Sequence, residues 1–160
     1  MDLSKLTDEQ VQNVRDNYAR RKLFDRPEYS AAVLELQLRS GPELNIEKTV
    51  KCILSKAREG QFVTYGEVAE VNGCTWKKIR RKIPPHLDRV LEMAHARGAP
   101  YITANVVNQK NRDTGKLDPD SLSGFVKGVE RLGDRVDEPE EFLKRHQNQT
   151  FEYAKQNLFL

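Results

Sequence analysis

Apolar residues recur at helical spacing along most of this chain, and only one longer stretch reads as a strand. Thr7 and Gln10 form a capping box, after which Val11, Val14 and Tyr18 define an amphipathic helix ending near Phe24, before a turn at Pro27. Residues 28–39 fit two patterns. Leu34, Leu36 and Leu38 alternate as in a strand, whereas Ala31, Ala32, Leu34 and Leu38 suit a helix, which is slightly preferred. Gly41-Pro42 interrupts the chain. Asn45 caps a helix that buries Ile46, Val50, Ile53, Leu54 and Ala57 and stops at Gly60.

Gln61-Phe62-Val63 is short and extended. Thr64 with Glu67 makes a second capping box, opening a helix through Val71. Gly73 turns the chain, Thr75 caps a basic helix, and Pro84-Pro85 ends it. A helix over roughly 86–97 buries Leu87, Val90, Leu91 and Ala94 and stops at Gly98. Tyr101 to Val107 is β-branched and aromatic between Pro100 and Asn108, which predicts a strand. A polar loop over 108–116 follows, then a helix near 120–132 with Leu122, Phe125, Val129 and Leu132 on one side. The last helix, over 139–158, carries Phe142, Phe151 and Tyr153 as anchors. The expected fold is α+β and mainly helical: a winged helix-turn-helix core at 44–117, with extra helices at 1–43 and 118–160, all in one domain.

Charge sharpens this picture at one place. Net charge is only +3 over 160 residues, but Lys77, Lys78, Arg80, Arg81 and Lys82 put five cations into 75–82 with no acid among them. They occupy the second helix of a unit in which Ala69 permits close helix approach, Gly73 allows the turn and Ile79 anchors the helix to the core. A basic second helix in such a unit points to nucleic acid. Lys110, Arg112 and Lys116 would make the 108–116 loop a basic wing. Trp76 fits stacking or core packing equally. The opposite sign gathers at 134–141, where Asp134, Asp137, Glu138, Glu140 and Glu141 face only Arg135.

Residues 60–69, reading Gly-Gln-Phe-Val-Thr-Tyr-Gly-Glu-Val-Ala, resemble the entry to the DNA-binding domain of alkylguanine-DNA alkyltransferases and alkyltransferase-like proteins. Pro100-Tyr101-Ile102 leading to Val106-Val107 and Gly115 is similar to the strand that holds their Pro-Cys-His-Arg motif. The resemblance covers about residues 46–125 and implies a winged-helix DNA-binding scaffold, with Thr64 and Tyr65 at the DNA surface. Ile102-Thr103-Ala104-Asn105 contains neither the cysteine nor the histidine of that motif, so a thiolate nucleophile has no place there. Ile79 stands where those families insert an arginine into the duplex, with Arg80 beside it.

The expected function is therefore non-catalytic binding of duplex DNA through Thr64, Tyr65, Thr75, Trp76, Lys77, Lys78, Arg80, Arg81, Lys82, Lys110, Arg112 and Lys116. No metal, cofactor or catalytic residue is expected. Arg80 or Arg81 is suited to reading guanine, while the basic helix has no Asn or Gln to read adenine. Two other classes stay open: a protein-binding module or inhibitor using the acidic 134–141 region, and a metal-dependent nuclease using Asp113, Asp118, Asp120 and Glu130. His86, His95 and His146 show no metal-binding spacing, and Cys52 and Cys74 are too far apart for a CxxC pair. With no apolar leader or membrane-length segment, a reduced, soluble cytoplasmic protein is the expectation.

Overall fold

The computed structural model describes residues 2–39 and 44–160, so the Gly41-Pro42 interruption lies outside the described residues. Eight α-helices are seen among them: α1 (Asp8–Arg20), α2 (Pro27–Arg39), α3 (Ile46–Arg58), α4 (Tyr65–Val71), α5 (Trp76–Ile79), α6 (Ile83–Ala96), α7 (Pro119–Arg131) and α8 (Pro139–Ala154). Strands β1 (Val63–Thr64) and β2 (Val106–Val107) form a two-stranded parallel sheet, with Val63 opposite Val106 and Thr64 opposite Val107. No described helix is long and apolar enough to cross a membrane.

The predicted stops and starts are physical. Both capping boxes form, Thr7 with Gln10 and Thr64 with Glu67, and the Asn45 side chain accepts from the backbone N–H of Lys48 at 2.9 Å. Gly60, Gly73 and Gly98 sit just past α3, α4 and α6 with φ of 73°, 74° and 68°, a region open to glycine without a Cβ clash. Residues 28–39 are helix. Leu34 and Leu38 lie on the exposed side, 55% and 67% accessible, while Tyr29, Ala32, Val33 and Leu36 turn inward.

Four expectations are corrected. The first helix ends at Arg20, not near Phe24. The stretch 101–107 is a strand only at Val106–Val107, because Ile102–Asn105 forms a 3₁₀ turn. All seven residues are buried, so the segment threads through the interior and has no solvent-facing side to alternate with. Its carbonyls are met locally and by α8: the Gln147 side-chain amide donates to Ala104 O at 2.9 Å and to Gly115 O at 2.7 Å. The basic helix is one turn, Trp76–Ile79, and Pro84-Pro85 do not end it but begin α6. In a first helical turn proline gives up an N–H that has no intrahelical partner anyway. The C-terminal helix likewise stops at Ala154, short of 158. Of its three anchors Phe142 is buried, while Phe151 and Tyr153 are half-buried.

α6 is the central element. Val90 belongs to a core shared with α3, α4, β1, β2 and the end of α8, and the next residue, Leu91, belongs to a second core with α1, α2, α7 and α8. A helix covered on so many sides buries polar residues as well. Arg15 from α1 meets Glu92 at 2.7 Å, with both side chains more than 90% buried. On its other side, His86 Nε2 lies 2.7 Å from Thr49 Oγ1.

Two predictions follow from this buried chemistry. Glu92→Ala removes the α6 partner of the buried Arg15 and leaves it only Asp16 of its own helix, at 3.0 Å, so it should cost about 3 kcal/mol in urea unfolding, the lower end for breaking a buried pair. Removing the exposed partner in Lys155→Ala should change stability by less than about 0.5 kcal/mol. Burial holds His86 and His146 down at about 4, below the ordinary 6.5. The unfolded chain therefore takes up more protons between those values, so their share of stability is complete above pH 6.5 and is lost as pH falls toward 4. Burial pushes Glu92 up to about 7, and its contribution has the opposite sign, fading as pH rises through 7. Unfolding of His86→Gln between pH 4 and 6.5 should show a shallower loss on acidification than the parent; an unchanged slope would show that His86 titrates normally.

Candidate nucleic-acid interface

Of the expected DNA-binding residues, Tyr65 and Trp76 line a cleft of about 1080 Å³ between α5, the start of α6, β2 and α7, and the basic cluster at 77–82 directly follows Trp76 in the chain. Two devices fix its lips. The Thr64 hydroxyl accepts the N–H of Glu67 at 3.1 Å, which starts α4 at Tyr65 and aims that ring at the cleft. Asn72, at the end of α4, accepts the N–H of Asn45 at 2.7 Å and donates to Val68 O at 2.8 Å and Thr49 Oγ1 at 3.1 Å. Through Thr49 it connects to His86, so α3, α4 and α6 share one buried polar chain and the turn at Gly73 is held in place.

Beyond that turn, Ala69 and Ile79 are buried as expected, Ala69 completely, and Cys74 N donates to Ala69 O at 3.0 Å. Thr75 occupies the cap position of α5, but its side chain makes no capping bond. Trp76 is surface rather than core: it is 40% accessible, and its ring lies 5.7 Å from that of Tyr65 at an interplanar angle of 31°. Burial raises the Tyr65 hydroxyl above its usual range, opposed by a hydrogen bond with Ser121 at the head of α7. Two aromatic faces thus line one end of the cleft, and Pro84, Leu87, Leu91, Leu117 and Phe125 supply apolar walls.

The cations divide into two groups. Lys77, Lys78, Arg80, Arg81 and Lys82 are all exposed, and the first four form no salt bridge among the described residues. In the 108–116 loop, Lys110 is paired with Asp118 at 3.1 Å and Arg112 with Glu67 at 3.5 Å, leaving Lys116 exposed without an ion pair among the described residues. Glu67 also faces Lys56 at 3.6 Å, so the loop is pinned against the α4 cap. Thr64 is buried with its hydroxyl engaged, and it positions Tyr65 instead of presenting a contact of its own.

Other sequence candidates are placed elsewhere. Thr103 lines the cleft, and neither Cys52 nor Cys74 does. Asp118 is held by Asn108 and Lys110, and no three His, Cys, Asp or Glu side chains converge as a metal site among the described residues. His95 and His146 flank Tyr101: the phenol donates to Asp134, so His95 Nδ1–H donates to the phenol oxygen at 2.8 Å. On the α7 side of the cleft the sequence singled out Asp120 and Glu130 only as carboxylates and missed Ser121, Gly124 and Lys127, because those positions lie on the polar face of an amphipathic helix and carry no motif.

No family profile, curated protein or solved structure matches the chain significantly.

Trp76 is the one tryptophan in the sequence, so its fluorescence reports this place alone. Iodide is drawn in by the surrounding cations, and its quenching of Trp76 relative to neutral acrylamide should fall on adding salt and in Lys77→Gln/Lys78→Gln. A ratio insensitive to both would mean that the turn carries no net positive field.

Proposed function

We propose that this protein binds duplex DNA without carrying out chemistry on it, and that the cleft beside its basic turn receives a base displaced from the stack. The observation that carries this reading is the juxtaposition of four exposed cations, without a salt bridge among the described residues, with a cleft ended by two aromatic rings. Exposed Lys and Arg without intramolecular partners bind phosphates and release counterions. Aromatic planes in an apolar cleft hold an unstacked base by its faces, which no uniformly basic surface does.

On this reading α4, the Gly73 turn and α5 are the helix-turn-helix unit of a winged-helix domain related to alkyltransferase-like proteins. The 108–116 loop stands in the place of the wing, with Lys116 as its available cation. Thr103 occupies the part of the cleft where a thiol nucleophile would be needed, and a threonine hydroxyl with no base hydrogen-bonded to it among the described residues is a poor substitute. Recognition without transfer is the function that fits these side chains.

The test is fluorescence anisotropy of a short labelled duplex across a salt series. Log affinity should fall linearly with log salt, and Ala at Lys77, Lys78, Arg80 and Arg81 should each flatten the slope by about 0.9 where that residue meets a phosphate. Trp76 emission should be quenched more by a duplex carrying one unpaired base than by a fully paired one. Absence of binding at low salt would sink the proposal. Strand cleavage on adding Mg²⁺ or Mn²⁺ would replace it with the nuclease reading.

A further inference from the structure

The cleft continues well beyond its aromatic end. α7 walls it from Asp120 and Ser121, beside Tyr65, to Lys127, Glu130 and Arg131, where Arg20 from the end of α1 completes the lining. At about 1.5 Å of rise per residue, Ser121 and Arg131 are about 15 Å apart along α7. A DNA strand in a duplex advances about 3.4 Å per nucleotide, so this length matches about four steps.

The charges at the far end are in different states. Arg131 is committed to Asp88 at 3.2 Å. Lys127 and Arg20 are exposed and have no ion pair among the described residues; Arg20 donates only to the Asn17 side-chain carbonyl of its own helix. Glu130 is the exposed acid at this end, one turn on from Lys127 and next to the Arg131–Asp88 pair. Asp120 is at the opposite end of α7. The helix bearing Arg20 is fixed in place, because Arg15 is bound to Glu92 of α6 at 2.7 Å and to Asp16 at 3.0 Å, and Ala19 is packed in the core. The buried ion pair thus fixes the backbone from which Arg20 reaches the edge of the cleft.

Resting on the DNA-binding reading above, we propose that Arg20 and Lys127 form a second phosphate-binding position across the cleft from the basic turn. The DNA backbone then spans the cleft, with phosphates held at both ends and the aromatic pair between them. The N-terminal helices are part of the binding surface, with Arg15 and Glu92 as positioning residues that act through Arg20.

The experiment uses the full chain, a labelled duplex of about two turns, and Arg20→Gln, Lys127→Gln and the double variant. Lys144→Gln, at an exposed position on α8, is the control. Each single variant should weaken binding and flatten the log–log salt slope by about 0.9, the double variant by about 1.8, and the control not at all. Thermal melts matching the parent establish that the variants are folded. A double variant with the parental slope overturns this proposal while leaving the basic-turn reading intact, provided that changing Lys77 and Lys78 still flattens the slope. Equal flattening by Lys144→Gln also overturns it, since attraction would then be delocalised. No binding by the parent protein overturns both.

Discussion

Two residue pairs of parallel strand, Val63 with Val106 and Thr64 with Val107, fix the geometry on which everything at the cleft depends. A parallel pair cannot be closed by a hairpin, and here the crossover consists of α4, α5 and α6. Its first strand runs straight into the α4 cap and delivers Tyr65; its second runs into Asn108 and the loop that Glu67 pins through Arg112. All four strand residues are buried, so the ladder is shielded from competing water. So short a sheet has little stability of its own. It persists because α3 and α8 close over it, and because the Thr64 side chain continues the ladder's order into the next helix.

The molecule sorts its charges by whether they have a partner. Arg15 and Glu92 are deep inside, where the pair holds α1 against α6, and Asp16 gives Arg15 a second carboxylate on its own helix. Lys110, Arg112, Lys56 and Arg131 are tied to carboxylates at the edges of the cleft and organise its loops. Lys77, Lys78, Arg80 and Arg81 lie outside both sets. They form no salt bridge among the described residues, and exposed charge costs little to leave that way in water, so these residues are not a structural fault. They form a local positive field on a protein of net charge only +3, and such a field governs how a polyanion arrives and in which orientation.

What could be read from the sequence was whatever the backbone decides locally. Thr7, Asn45 and Thr64 began helices as expected, and Gly60, Gly73 and Gly98 ended them, because capping and positive φ are properties of a few adjacent residues. The 101–107 segment was misjudged because β-branched composition describes a pleated, half-buried surface, whereas this stretch is enclosed on every side by α3, α6 and α8. Pro84-Pro85 were read as a stop when their place in the next helix made them a start. Of the cleft, the sequence singles out Tyr65 and Trp76 and the basic turn beside them. The wall from α7, and the place of Arg20 in the lining, arise from helices meeting in space, and no spacing along the chain encodes that.

α5 is a single turn, about 6 Å long at 1.5 Å per residue, and too short to lie along a groove and present several side chains to base edges. Ile79 is in the core, so its side chain is not available to enter a duplex. Arg80 and Arg81 are exposed and remain able to touch a guanine edge, but a lone contact fixes little sequence. On the proposed DNA-binding reading, affinity and discrimination come from different parts of the surface. The cations supply the first, blind to sequence. The cleft supplies the second through shape, through Tyr65 and Trp76, and through the few polar groups in its lining, such as Thr103, Asn108 and Ser121. A surface built this way distinguishes bases by how readily they leave the stack and how well they fill the cleft. On that reading the target is a local weakness in the duplex, more than a particular sequence.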